Sequence, residues 1–186
     1  MNIILIGSRC TGKTITGRHL AARLGLPFCD TDELIARETG RTVETIVADG
    51  GWLAFREAER AVIAALSRTD GGVISLGGGA ILDPDNVEHL RGNGLFVWLV
   101  ADAEIIAGRM ANDPASGAQR PSLTGRPGIV EIKEILAERE PLYRRLATLT
   151  VDTTSCAVEQ VVETICTGLR ETVPRAEEII GKKKEK

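Results

Sequence analysis

The 186-residue chain is short of the features that mark several large function classes. Its four cysteines, Cys10, Cys29, Cys156 and Cys166, form no C-x-x-C pair. That spacing speaks against a zinc site or a disulfide frame and predicts reduced thiols in a cytoplasmic protein. There are only two histidines, His19 and His89, and neither begins a metal or nucleophile cluster. Positive charge is not in excess. The 23 Lys+Arg stand against 26 Asp+Glu, a net charge of −3, so no broad basic surface is offered to nucleic acid. No apolar stretch approaches the roughly 20 residues of a membrane span, so no membrane partner is expected. Residues 1–6 pass straight into a strand pattern, from which no signal peptide is expected. No internal repeat is present. What remains, 43% apolar and 26% charged, suits one globular domain large enough for a real core.

Against that background, Gly7-Ser8-Arg9-Cys10-Thr11-Gly12-Lys13-Thr14 has the phosphate-binding pattern G-x-x-x-x-G-K-[ST]. Gly7 and Gly12 allow a tight loop whose backbone amides turn inward to phosphate oxygens. Lys13 reaches the β- and γ-phosphates as a point charge, and the Thr14 hydroxyl can ligand Mg²⁺. The context fits the pattern. Asn2 to Ile6 reads as a buried parallel strand, and a helical stripe through Leu20, Ala21 and Leu24 ends at Gly25-Leu26-Pro27. Phosphates would then lie at a helix N-terminus, which favours anions.

Pro27 to Asp30 reads as a second strand, with Asp30 and Asp32 at its end. Extended backbone there would put both carboxylates on one face. Thr31 or Asp32 is the expected cap of the following helix. Beside a triphosphate site, one carboxylate can hold Mg²⁺ through water and the other can receive a hydroxyl proton. Thr42 opens a short helix that Asp49-Gly50-Gly51 ends, and a longer helix runs from about Trp52 to Arg68. Trp52, Phe55, Arg56 and Glu59 share one face of it. That face suits core packing, a surface ion pair, or a small ring bearing an anionic group.

Gly72 to Leu76 reads as a third strand, followed by Gly77-Gly78-Gly79. Three glycines at a strand's carboxyl end form either a plain turn or a place where a ligand meets bare backbone. Asp83-Pro84 opens a helix to about Arg91, and Leu95 to Leu99 is the fourth strand. Asp102 caps a helix that carries Arg109. Residues 111–128 lose periodicity and hold Arg120 and Arg126, which suggests a lid over phosphates. Ile129 to Ala147 is helical again, with Arg144 four residues after Glu140. Leu149 to Asp152 is the fifth strand, and a last helix follows Thr153-Thr154-Ser155. The pattern predicts a three-layer α/β/α P-loop NTPase-like fold around a five-stranded parallel sheet. It places a single domain at 1–174, with a mobile lid at 111–128 and a charged tail at 175–186.

In order and spacing, these pieces resemble a shikimate kinase over nearly all of residues 2–170. The matching stretches are Gly7 to Thr14, Asp30-Thr31-Asp32, Phe55-Arg56-x-x-Glu59, Leu76 to Ala80, Arg120-Pro121-x-Leu123, Pro141-Leu142-Tyr143-Arg144 and Asp152-Thr153. Trp52 and Arg120 to Gly125 resemble the second bacterial isoenzyme type. The resemblance implies transfer of the ATP γ-phosphate to the 3-hydroxyl of shikimate, on the route to chorismate and aromatic amino acids. It further implies a helical substrate-binding region at about 31–60 and a cytoplasmic monomer that uses ATP and Mg²⁺. It assigns Lys13, Asp32 and Arg120 to catalysis, with Asp32 as proton acceptor. Thr14 and, through water, Asp30 would hold the metal. Gly7 to Ile15, Arg109, Arg120, Asp152 and Thr153 would bind ATP, with Arg109 stacked on adenine. Asp32, Phe55, Gly77, Gly78 and Gly79 would border shikimate, and Arg56 and Arg144 would grip its carboxylate. Cys10 and Thr11 replace the usual small residues of the loop, Ile15 replaces a second hydroxyl residue, and Met110 stands where threonine is common. None of these removes a reacting group. Two other readings stay open: another small-molecule kinase, acting on gluconate or a nucleoside monophosphate, and a nucleotide-binding module without catalysis.

Overall fold

The computed structural model describes residues 1–112 and 128–173. Five strands form one sheet: β1 (Asn2–Ile6), β2 (Phe28–Asp30), β3 (Val73–Ser75), β4 (Gly94–Val100) and β5 (Leu149–Asp152). All neighbouring pairs are parallel and the order is β2-β3-β1-β4-β5. Among the described residues the helices are α1 (Lys13–Leu24), α2 (Thr31–Thr39), α3 (Val43–Leu66), α4 (Pro84–Arg91), α5 (Ala103–Asn112), α6 (Gly128–Leu146) and α7 (Val158–Thr172).

A parallel sheet is covered on both faces, which explains why β1 is apolar at nearly every position. Ile3 and Leu5 join the core beneath α1 and α7, with Leu20, Val97, Ile165 and Leu169. Ile4 and Ile6 point the other way, to Ile63, Ile74, Phe96, Trp98 and Tyr143. A third, smaller core of Leu34, Ile35, Ile46, Phe55 and Val62 joins α2 to α3. It makes a compact helical unit over the region that the family resemblance assigned to substrate binding.

The register fixes where a site can form. Asp30 of β2 and Leu5 of β1 both pair with Ser75 of β3. Val97 pairs with Leu5, and Asp152 pairs with Val100. The loops after these strands therefore leave from one edge of the sheet, where ligands of open parallel sheets bind.

The two consecutive helices expected over 42–68 are present within α3 and separate where the sequence placed the break, at Gly51, whose φ of 70° and ψ of −178° leave the helical region. Asp83 and Pro84 start α4 as read from the sequence, with Asp83 accepting from the Asp85 amide. The start of α2 needs correction. Thr31 is already helical, and the cap is Asp30, whose Oδ1 accepts from the amides of Asp32 (3.0 Å) and Glu33 (3.4 Å). Asp30 and Asp32 do not share one face of an extended strand. One is the cap and the other lies in the first helical turn. Most of the expected lid, with Arg120 and Arg126, and the expected tail lie outside the described residues. Among the described residues, no helix is long and apolar enough to cross a membrane.

Candidate active site

The turn from β1 into α1 forms the first half of the site. Gly7 has φ 140°, and a Cβ there would meet the Leu99 carbonyl oxygen at 2.4 Å, so the loop passes too close to the end of β4 for any side chain. Gly12, at φ 89°, opens α1 with no side-chain cap, which leaves the first-turn amides for another acceptor. Lys13 is 9% exposed, and its ammonium donates to the carbonyls of Gly7 (2.9 Å) and Ser8 (2.7 Å). Thr11 is buried and ties the turn internally, its hydroxyl donating to the Ser8 carbonyl at 3.0 Å. Ile15 is exposed. The Thr14 hydroxyl donates to Asp30 Oδ2 at 2.7 Å. Asp30 thus uses one oxygen to start α2 and turns the other toward the phosphate loop. Thr14 and Asp30 offer hard oxygens of the kind Mg²⁺ takes, and one or two protein ligands suffice when phosphates and water supply the rest. Among the described residues, no group of three His, Cys, Asp or Glu forms a protein-only metal site.

The second half is a cleft next to this loop. Arg9, Asp32, Phe55, Arg56, Glu59, Gly77, Gly78, Gly79 and Arg139 line it. Sequence reasoning put Arg9 with the nucleotide, and the structure also places it on the wall of this cleft. Arg56 donates to Glu59 Oε2 at 2.5 Å and stands 5.3 Å from the Phe55 ring centroid and 5.8 Å from that of Trp52. Those rings meet edge-on at 5.9 Å. Glu59 is fully buried, and its Oε1 has no hydrogen-bond partner among the described residues. Burial pushes its carboxyl up to about 7. The Arg56 charge and hydrogen bond oppose the shift, and Asp32 and Asp83 add to it.

Two of the three glycines, Gly77 and Gly79, are crowded by their neighbours. A Cβ on Gly77 would stand 2.8 Å from Asp32 Oδ1 and 2.9 Å from Glu59 Oε1, and one on Gly79 would stand 2.3 Å from Arg56 Nη2. Gly78 lies between the halves, close to the Gly7 carbonyl and to Arg139. Two contacts that the sequence did not reveal fix this turn. The Gly77 amide donates to the hydroxyl of fully buried Thr31 at 2.9 Å, and the Tyr143 hydroxyl donates to the Gly78 carbonyl at 2.5 Å. Burial pushes the Tyr143 phenol up to about 12, while neighbouring Arg139 pulls it down.

The second arginine of the cleft differs from the one expected. Arg144 is exposed, with its guanidinium 5.5 Å from the Trp98 ring centroid, and does not line the cleft. Arg139 does, is 6% exposed, and has a buried Nε with no hydrogen-bond partner among the described residues. Helix phase explains the exchange. Five residues turn about 140° around an α-helix, so Arg139 and Arg144 face different ways. Arg139 and Tyr143 are four apart and share a face. The buried tyrosine was the available signal. Arg109 and Thr153 are held against the phosphate loop by hydrogen bonds. Asp152 is exposed, and its Oδ1 accepts from the Thr154 amide at 2.8 Å. The Thr154 side chain and that amide hold its carboxyl below the usual range.

Comparison with known proteins follows from this geometry. The shikimate kinase family model matches residues 9–170. A shikimate kinase of Syntrophus aciditrophicus is 46% identical over 172 residues, covering 88% of each chain. Shikimate kinase 2 of Yersinia enterocolitica is 41% identical, over 88% of this chain and 92% of that one. The solved structure of a shikimate kinase from Acinetobacter baumannii in complex with shikimate superposes with a TM-score of 0.86. It is 33% identical and covers 92% of this chain and 94% of that chain.

Proposed function

Because the chain belongs to the shikimate kinase family, we propose that it transfers the γ-phosphate of ATP to the 3-hydroxyl of shikimate, giving shikimate 3-phosphate and ADP. One observation carries the assignment of the acceptor site. Two arginines that are buried or half-buried, Arg56 and Arg139, line a cleft with Asp32 directly beside the phosphate loop. An acidic polyol needs that combination: cations for its carboxylate and an acceptor for its hydroxyl proton.

The roles follow from position. Loop amides and Lys13 receive the phosphates. Arg56 and Arg139 grip the shikimate carboxylate. Arg139 takes the role that the sequence gave to Arg144. Glu59 holds Arg56 in place, and Phe55 and the Gly77–Gly79 backbone shape the wall. Asp32 takes the hydroxyl proton as the hydroxyl oxygen attacks the γ-phosphorus and the bond to the β-phosphate oxygen breaks, releasing ADP. Thr14 and Asp30 would hold Mg²⁺, which when bound neutralises charge on the phosphates. Arg120 is proposed as a further cation for the phosphates on the strength of its sequence match alone, since it lies outside the described residues. The single domain over 1–174, the cytoplasmic setting and the monomeric state stay part of the proposal.

A coupled ADP-release assay tests the reading, with Mg²⁺ and shikimate, gluconate or AMP offered side by side. Release with shikimate alone is expected. Release only with another acceptor would favour a different small-molecule kinase, and ATP binding without release would favour a non-catalytic module.

A further inference from the structure

Cys10 is the one non-glycine residue with positive φ among the described residues, at 57°. L-residues avoid that region because Cβ crowds the carbonyl. Here it occurs within the phosphate loop. The surrounding bonds show what holds it. Arg109 Nη1 donates to the Cys10 carbonyl at 3.2 Å and to the Thr153 hydroxyl at 3.2 Å, and Nη2 donates to the Thr153 carbonyl at 2.5 Å. The Thr153 hydroxyl is placed to donate to the Thr11 carbonyl (3.0 Å) or to that of Val100 (3.0 Å). Val100 already accepts from the Thr153 amide at 2.8 Å, so Thr11 is the acceptor that most needs the hydroxyl proton. Thr153 is 3% exposed and Thr11 is 1% exposed, so solvent does not substitute for these bonds.

We propose that Arg109 and Thr153 form a brace that sets the direction of the phosphate-loop amides, and that this chain depends on the brace because Cys10 stands where a glycine would relax. The argument is planar geometry. In a trans peptide, the carbonyl of one residue and the N–H of the next point in opposite directions. Fixing the Cys10 and Thr11 carbonyls toward the brace turns the amides of Thr11 and Gly12 the other way, into the loop. Arg109 and Thr153 are therefore positioning residues for nucleotide binding, and they act through the peptides that would meet phosphate. The proposal rests on the loop being the nucleotide site and adds what keeps it in shape.

The test is titration calorimetry with MgADP on Thr153→Val and Thr153→Ser, each made alone and together with Cys10→Gly. It needs no shikimate turnover, so its result stands apart from the choice of acceptor. Loss of one buried hydrogen bond predicts ADP binding weaker by about tenfold in Thr153→Val. Thr153→Ser, which keeps the hydroxyl, should bind within about twofold of the parent. In kinetics, KM for ATP should rise while KM for shikimate holds. Adding Cys10→Gly to Thr153→Val should restore most of the affinity. Thr153→Ala, which adds no bulk, serves if valine folds poorly. Parent-like ADP affinity in the variants lacking the hydroxyl overturns the brace. An equal loss with and without Cys10→Gly overturns its link to Cys10.

Discussion

The phosphate side and the acceptor side of this cleft are assembled in opposite ways. The phosphate side is one run of eight residues, Gly7 to Thr14, bent by two positive-φ glycines and fastened to itself through Lys13 and Thr11. The acceptor side draws on six places in the chain: Arg9, Asp32, Val43, the Trp52–Glu59 stretch, Gly77 to Gly79, and Arg139. Local geometry bends the first, and Arg109 and Thr153 hold it from outside. The second exists only because the strand register brings these loops to one edge and α6 presents one particular face. A substitution on the phosphate side should therefore act on nucleotide binding nearly alone. A substitution on the acceptor side should act on shikimate, and some should act through a neighbour.

The sharpest break between the sides is expected at Asp32. Asp32→Asn keeps the shape and removes the proposed proton acceptor. We expect kcat to fall by roughly 10²- to 10⁴-fold while ATP binding stays within about twofold. Single-turnover phosphoryl transfer and nucleotide titration measure the two halves, and a near-normal kcat would remove Asp32 from the role of base.

The two arginines of α6 come next. Arg139→Ala should raise KM for shikimate by about ten- to a hundredfold, the size of a lost charge-assisted hydrogen bond. Arg144→Ala should move it less than about threefold, as an exposed residue does. Steady-state kinetics on both variants decide which arginine belongs to the cleft.

Glu59 links the acceptor side to pH. Its folded-state value of about 7 lies above the ordinary value of 4.5. Between those values the folded protein keeps a proton that the unfolded chain has released, so this group's contribution lowers stability as pH rises from about 4.5 to about 7. Glu59→Gln removes that term. Urea midpoints at pH 5 and pH 8 should show the parent losing more stability than the variant over the rise. The variant should also bind shikimate more weakly because Arg56 loses its anchor. Parallel pH curves would mean Glu59 titrates normally.

The smallest effect is expected at Cys10. Cys10→Gly relieves the left-handed strain, partly offset by the greater chain entropy of glycine. A net gain of up to about 1 kcal/mol corresponds to a rise in Tm of about 2–4 °C. Thermal melting checks it, and a lower Tm would mean that the thiol makes contacts worth more than the strain.

What could be read from the sequence follows the same division. The phosphate loop, the strand before it and the helix after it were legible because contiguous residues carry them. Gly77 to Gly79 were legible as a place of close approach, although Asp32, Glu59 and Arg56 as the reason were not. The cap of α2 was misplaced by one or two residues. Asp30 ends β2 as read, and its side chain also serves both the helix and Thr14. Arg139 was missed because Pro141-Leu142-Tyr143-Arg144 drew attention to the wrong helix face. Tyr143, fully buried and bonded to Gly78, marks the inward face, and counting four residues back from it leads to Arg139. Thr31 gave no signal, since a hydroxyl that accepts from an amide 46 residues away has no local pattern.

The most direct measurement compares shikimate with the same ring bearing a hydroxymethyl group in place of the carboxylate, as acceptors for the parent, Arg139→Ala and Arg144→Ala. The ratio of kcat/KM values reads how strongly each protein recognises the carboxylate. We expect a strong preference for shikimate in the parent, unchanged in Arg144→Ala and reduced by about tenfold or more in Arg139→Ala. Full discrimination in Arg139→Ala, with its loss in Arg144→Ala, would contradict the cleft as assigned.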